Sequence, residues 1–122
     1  MKFTQENSPG DNVFSNYGNG VLTVNDVDHN NSLLIFPDLL DVWPVNNAAE
    51  LQISDFEIFI ERRPDIIILG TGATQQFPST DLRRELAKSQ IQLDVMDTAA
   101  ACRTYNLLVS EDRNVGAAVI VF

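Results

Sequence analysis

Ile66-Ile67-Ile68-Leu69 forms an unbroken apolar run that closes on Gly70. A strand apolar at every position cannot leave one face in water, so it belongs inside a parallel sheet covered on both sides. The neighbouring sequence follows the same grammar. Ser54-x-x-Glu57 has capping-box spacing, and Phe56, Phe59 and Ile60 then fall on one helical face. Pro64 ends that helix by disfavouring helical geometry at Arg63. Gly70–Pro78 reads as a loop, Ser79 or Thr80 as the cap of a helix that turns Leu82, Leu86 and Ala87 inward, and Ile91–Met96 as a second strand. Asp97-Thr98 caps a further helix running to about Glu111, and Val115–Phe122 is a third strand with small residues at 116–118. The expected order is α-β-α-β-α-β, with helices at about 55–63, 80–89 and 98–111 and parallel strands at 66–70, 91–96 and 115–122.

The first 50 residues read differently, as strands and turns. Gly18-Asn19-Gly20 is a turn signal, since Asn and Gly both tolerate positive φ. We expect a hairpin of Gly20–Val24 against Ser32–Phe36, with Asn25–Asn31 as its loop and one more short strand in Asp41–Val45. The chain is therefore an α/β domain with an N-terminal β-hairpin region (1–50) and an alternating part (51–122). At 122 residues and 44% hydrophobic content, one domain is expected. A core of that size needs neither disulfide nor metal.

Charge removes several functions. The net charge is -9, which disfavours nucleic acid and anionic membrane surfaces, both of which need clustered Lys and Arg. Residues 1–60 hold one base, Lys2, against nine acids, while residues 61–122 hold seven bases against eight. This is a solvated acidic face or a docking surface for a basic partner. The start, Met1–Glu6, is too polar for a signal peptide, and no apolar run approaches the roughly 18 residues of a membrane span. With a single cysteine, Cys102, no internal disulfide is possible. A soluble cytoplasmic protein without membrane insertion is expected.

Chemistry-bearing patterns are sparse. If strands 66–70 and 91–96 are parallel, Gly70-Thr71-Gly72 and Asp97-Thr98 meet at one sheet edge, with Gln76 in the loop beside them. Open α/β sheets hold ligands at that edge, glycines permit close backbone approach, and free helix amides favour an anion. A structural tight turn explains the same residues. Helical spacing sets Arg103 and Asn106 on one face as a polar pair for a ligand or partner, or as a solvated surface. Cys102 would need the only histidine, His29, beside it to act as a nucleophile, so a buried inert thiol is expected. Asp26-x-Asp28-x-Asn30 begins like a calcium loop, but Asn31 stands where Gly is required and Pro37 where the bidentate Glu belongs. No metal, cofactor or catalytic residue is expected.

Taken together, Tyr17-Gly18-x-Gly20, Gly70-Thr71-Gly72, Met96-Asp97-Thr98-Ala99-Ala100, Arg103-Thr104-Tyr105-Asn106 and Glu111-x-Arg113-x-Val115-x-Ala117-Ala118 form a linked set. The set resembles the Mth-type domain family, a domain of unknown function. Its eukaryotic relatives include a mitochondrial complex I assembly factor and an adipogenesis-associated cytoplasmic protein. The resemblance covers nearly the whole chain and is strongest from Asp65 to Phe122. It implies a three-layer fold around a central mixed, largely parallel sheet, with one strand antiparallel to the rest. It implies no reaction. The N-terminus is not of transit type, so a compact prokaryotic-type member is expected. Two function classes follow. One is a non-enzymatic protein-binding or assembly-factor-like module with an unknown protein partner. The other is a small polar ligand-binding protein or enzyme using Gly70–Pro78 and Asp97–Asn106.

Overall fold

The computed structural model describes residues 10–122. The polar Met1–Glu6 segment, in which no signal peptide is read, lies outside the described residues. Strands β1 (Phe14–Gly18), β2 (Val21–Val24) and β3 (Val27–His29) form a small antiparallel sheet. After them come β4 (Leu33–Phe36), β5 (Leu39–Val42), α1 (Glu57–Arg62), β6 (Ile66–Gly70), α2 (Thr80–Lys88), β7 (Gln92–Met96), α3 (Thr98–Ser110) and β8 (Val115–Val119). The second sheet has the order β5-β4-β8-β6-β7. β6 pairs in parallel with both β7 and β8, while β4 is antiparallel to both β8 and β5. Only β4 therefore runs against the other four strands, as the family resemblance implies.

The apolar run acts as expected. Every residue of β6 is buried. Ile66 and Ile68 face α3 and the small sheet, packing with Phe14, Leu22, Ala101, Cys102 and Tyr105. Ile67 and Leu69 face the opposite layer, with Phe56, Phe59, Leu82 and Leu86. The central sheet thus separates two apolar layers. Each fully buried aliphatic or aromatic side chain contributes roughly 1.5–3 kcal/mol, and that burial is the main cause of the arrangement.

Several expectations need correction. The hairpin of 20–24 against 32–36 does not form. β2 lies between β1 and β3, and β4 inserts between β5 and β8 in the other sheet. The physical reason is legible in Leu33-Leu34-Ile35-Phe36, which is apolar throughout and needs cover on both faces, as β6 does. Asn25–Asn31 is not one loop. Asn25 and Asp26 both take positive φ (48° and 68°) and make a two-residue turn into β3. β1 carries Ser15, Asn16 and Tyr17 and gives no β-branched signal. The strand sought in 41–45 is β5, which ends before Trp43. The helix at 55–63 is a 3-10 turn, Ile53–Phe56, followed by the shorter α1. The capping box belongs to Gln52 and Asp55 rather than Ser54 and Glu57. The last strand ends at Val119 instead of 122.

Candidate functional site

Parallel pairing of β6 with β7 and β8 brings their carboxyl ends to one edge. Because β7 and β8 lie on opposite sides of β6, this edge is a topological switch point, where such sheets open a crevice for ligands. Here the crevice is closed by the chain itself. The buried Thr98 hydroxyl donates to the Ile120 carbonyl at 2.7 Å and accepts from the Gly72 amide at 2.8 Å. The Thr98 amide donates to the Gly72 carbonyl at 2.9 Å, and the Ile120 amide to the Gly70 carbonyl at 2.9 Å. Thr98 is fully buried and stitches the ends of β6 and β8 to the start of α3.

The glycines explain how a helix comes so close. A Cβ on Gly70 would stand 2.9 Å from Ala101 Cβ, 2.9 Å from Thr98 Oγ1 and 3.0 Å from Thr98 Cα. Gly72 holds φ +101°, a conformation that L side chains rarely adopt. Thr71 is equally committed. Its amide donates to the Met96 carbonyl at 2.9 Å, its hydroxyl donates to the Thr74 carbonyl at 2.7 Å, and the Gln76 amide donates to that hydroxyl at 3.0 Å. Asp97 caps α3, accepting from the Ala100 amide at 2.9 Å. Of the residues singled out from sequence, Gly70, Thr71, Gly72, Gln76, Asp97 and Thr98 therefore come together at this edge through bonds within the fold. Residues Ala73–Phe77 form the exposed rim above it.

Arg103 and Asn106 go elsewhere: Asn106 is bonded into the fold, while Arg103 stays exposed with one side-chain partner. Asn106 accepts from the Phe14 amide at 2.9 Å and donates to the Phe14 carbonyl at 2.7 Å, replacing a strand partner for β1. Tyr105 donates from its hydroxyl to the Asn12 carbonyl at 2.9 Å and meets the Phe14 ring edge-on. Burial pushes its phenol up from its ordinary pKa. Arg103 donates to the Tyr17 hydroxyl at 2.8 Å. This face of α3 holds the small sheet in place. Asn106→Ala is accordingly expected to cost about 1–2 kcal/mol, because two backbone groups lose their partner. Arg103→Ala, at an exposed contact, stays within about 0.5 kcal/mol. Thermal melts of the two variants check the contrast, and equal midpoints would contradict it.

Cys102 is fully buried, and burial pushes its thiol up to about 12 despite Arg103 next to it. His29 lies on β3, in the small sheet, with Leu22 as its register partner. We expect the native thiol to resist alkylation at neutral pH and to react once the chain is unfolded in urea. Rapid stoichiometric labelling of the folded protein would contradict this.

Two concavities among the described residues lie away from the carboxyl edge, where the sequence gives no sign of them. One polar cleft of about 190 Å³ sits at the opposite end of the sheet, lined by Phe36, Pro37, Asp38, Arg62, Arg113, Asn114 and Val115. Arg62 stacks on the Phe36 ring at 4.4 Å and pairs with Asp38. The hydrogen bond from Arg62 holds the Asp38 carboxyl below its ordinary pKa. A second groove, of about 210 Å³, lies beside β5 and α1 and is mostly apolar. No local motif marks either one, since each joins segments far apart in sequence.

Comparison with known proteins places these features in context. The family model described as "Protein of unknown function (DUF498/DUF598)" matches residues 14–120. The "13 kDa major membrane protein" of Francisella tularensis is 28% identical over 122 residues, covering 98% of this chain and 99% of that one. The "NADH dehydrogenase [ubiquinone] 1 alpha subcomplex assembly factor 3" of Danio rerio is 32% identical over 88 residues, covering 70% of this chain. The match spans only 51% of that assembly factor's length. A solution structure of a Bordetella pertussis protein described as a Mth938-like domain superposes with TM-score 0.82 at 25% identity, covering 98% of this chain and 92% of that one. Among the described residues, no helix is long and apolar enough to cross a membrane.

Proposed function

The chain belongs to the DUF498/DUF598 family, and from that premise we propose that it is a non-enzymatic protein-binding module of the assembly-factor kind. The observation that carries this reading is the closed switch point. The Thr98 hydroxyl, the Gly72 amide and the Thr71 hydroxyl are all bonded within the fold. A small polar ligand at this edge would have to displace those bonds, each of which is costly to leave unmade in a buried site. A partner protein needs only a stable surface, and the assembly factor named above supplies the analogy. Gly70, Thr71, Gly72, Gln76, Asp97 and Thr98 are then the framework that fixes that surface, and Arg103 and Asn106 hold the small sheet to it.

Cytoplasmic residence is part of the proposal, in keeping with a fold that uses no internal disulfide and buries its one cysteine. Affinity purification of the tagged full chain from its native cells, followed by mass spectrometry of co-purifying proteins and retained small molecules, tests the function. One or a few proteins recovered in near-stoichiometric amounts is the expected result. A stoichiometric small molecule with no protein would favour the ligand-binding alternative and overturn this reading.

A further inference from the structure

β5 is an edge strand: among the described residues, it pairs with β4 alone. The register fixes which of its backbone groups face outward. The Trp43 amide donates to the Ser32 carbonyl at 2.8 Å, so bonded pairs recur at Leu34–Asp41 and Phe36–Leu39. Leu40 and Val42 therefore present their backbone groups to the open side. The Val42 amide is covered by its neighbour, the Asp41 carboxylate, at 2.8 Å. The Leu40 amide and carbonyl remain for a strand that would come alongside.

Asp41 points to the same face of the sheet as Trp43, and that face carries the apolar groove. Leu34, Trp43, Pro44 and Ile58 supply its apolar surface, and Asp55 and Glu57 its rim. Val42, on the other face, is 51% exposed. Among the described residues no ion pair engages Asp41, Asp55 or Glu57, whereas Asp38 pairs with Arg62, Asp81 with Arg84 and Glu85 with Lys88. All three carboxylates fall in the half of the chain that holds nine acids and one base. An open edge, an apolar groove and uncompensated negative charge thus coincide.

We propose that β5 and this groove dock an extended basic segment of a partner protein, which adds a strand at Leu40. The residue opposite Leu40 makes two backbone bonds, and the residues flanking it project over the groove face. There an apolar side chain meets Leu34, Trp43 and Ile58, and Lys or Arg meets Asp41 and Glu57. A second copy of this chain is a poorer occupant, because it would set one acidic half against another. The inference rests on the protein-binding reading and names the surface that reading leaves open.

The test is a titration of the ¹⁵N-labelled full chain with a capped synthetic peptide, Lys-Val-Leu-Val-Lys-Val-Lys. Controls are the same peptide with Glu for every Lys and the same peptide with Ser for Leu. Trp43 is the only tryptophan, so its indole resonance reports on the groove without ambiguity. The expected result is saturable shifts confined to Leu39–Val45, Ile58 and that indole, diminishing as salt is raised. Binding should weaken about tenfold in the double variant Asp41→Lys with Glu57→Lys, as two surface pairs are lost and replaced by like charges. The Glu peptide should bind at least as poorly to the unaltered protein, which separates lost charge pairing from any change in the fold.

Shifts centred elsewhere on the acidic surface, no shifts at all, or equal response to the Glu peptide would overturn the proposal. Movement of the same resonances with protein concentration alone would name a second copy as the occupant and overturn it too. A chain that recovers a cellular partner yet ignores the peptide keeps its protein-binding function and loses this surface. One that takes the peptide at β5 but recovers no protein loses the assembly reading instead.

Discussion

Thr98→Val is expected to destabilise the protein by about 3 kcal/mol. The substitution keeps the branched shape and removes only the hydroxyl, so the core volume hardly changes. It leaves the Gly72 amide without its acceptor and the Ile120 carbonyl without its donor, both at a position with no solvent exposure. Each orphaned buried group costs about 1–3 kcal/mol. In a protein of this size the thermal midpoint should fall by roughly 10 °C. Thr98→Ser keeps the hydroxyl and loses one methyl, and should cost about 1 kcal/mol. Paired urea melts of the two variants check the order. If Ser is as damaging as Val, the methyl packing matters rather than the hydrogen bonds, and the junction is not held as described.

Gly70→Ala is the other large effect. The added carbon lands 2.9 Å from Ala101 Cβ and 3.0 Å from Thr98 Cα, so α3 itself must retreat from the sheet. Overpacking of this kind costs about 1–3 kcal/mol, and the upper end applies because a backbone atom cannot rotate away. α3 also carries Asn106, so its displacement should loosen the small sheet through the contacts with Phe14. Removing the facing methyl in Gly70→Ala with Ala101→Gly should restore part of the loss, beyond what the two single changes add up to. Urea melts of the single and double variants measure that coupling. Strict additivity would show that the two positions do not meet.

The halves of the chain are unequally legible, for physical reasons. From Ile66 onward, local pattern and final packing agree. The all-apolar run demands two covers, and the caps at Ser79 and Asp97 sit where the free helix amides need them. The first half defeats a local reading. Turn signals pair Leu33–Phe36 with its nearest neighbour in sequence, whereas its partners are β5 and β8, with Leu33 against Val119. That pairing depends on a strand some 85 residues away, which no turn signal encodes.

The site is legible in sequence only as a meeting of residues. Strand order brings Gly70–Gly72 and Asp97-Thr98 to one edge, and the structure adds that Thr98 closes it. Asn106 reads as a surface polar group because helical spacing shows a face and does not show what docks on it. The groove beside β5 gives no signal, since it joins Leu34, Trp43 and Ile58 from three separate segments.

The most direct measurement is hydrogen–deuterium exchange of the full chain, alone and in the complex recovered from its own cells. The Gly72 amide, bonded to the buried Thr98 hydroxyl, should exchange slowly in both. New protection should appear on a surface away from residues 71–78 and 97–99, at β5 and the adjoining groove. Protection confined to 71–78 and 97–99, gained with a bound small molecule and no partner protein, would contradict the claim that this edge is framework and that the protein works by binding another.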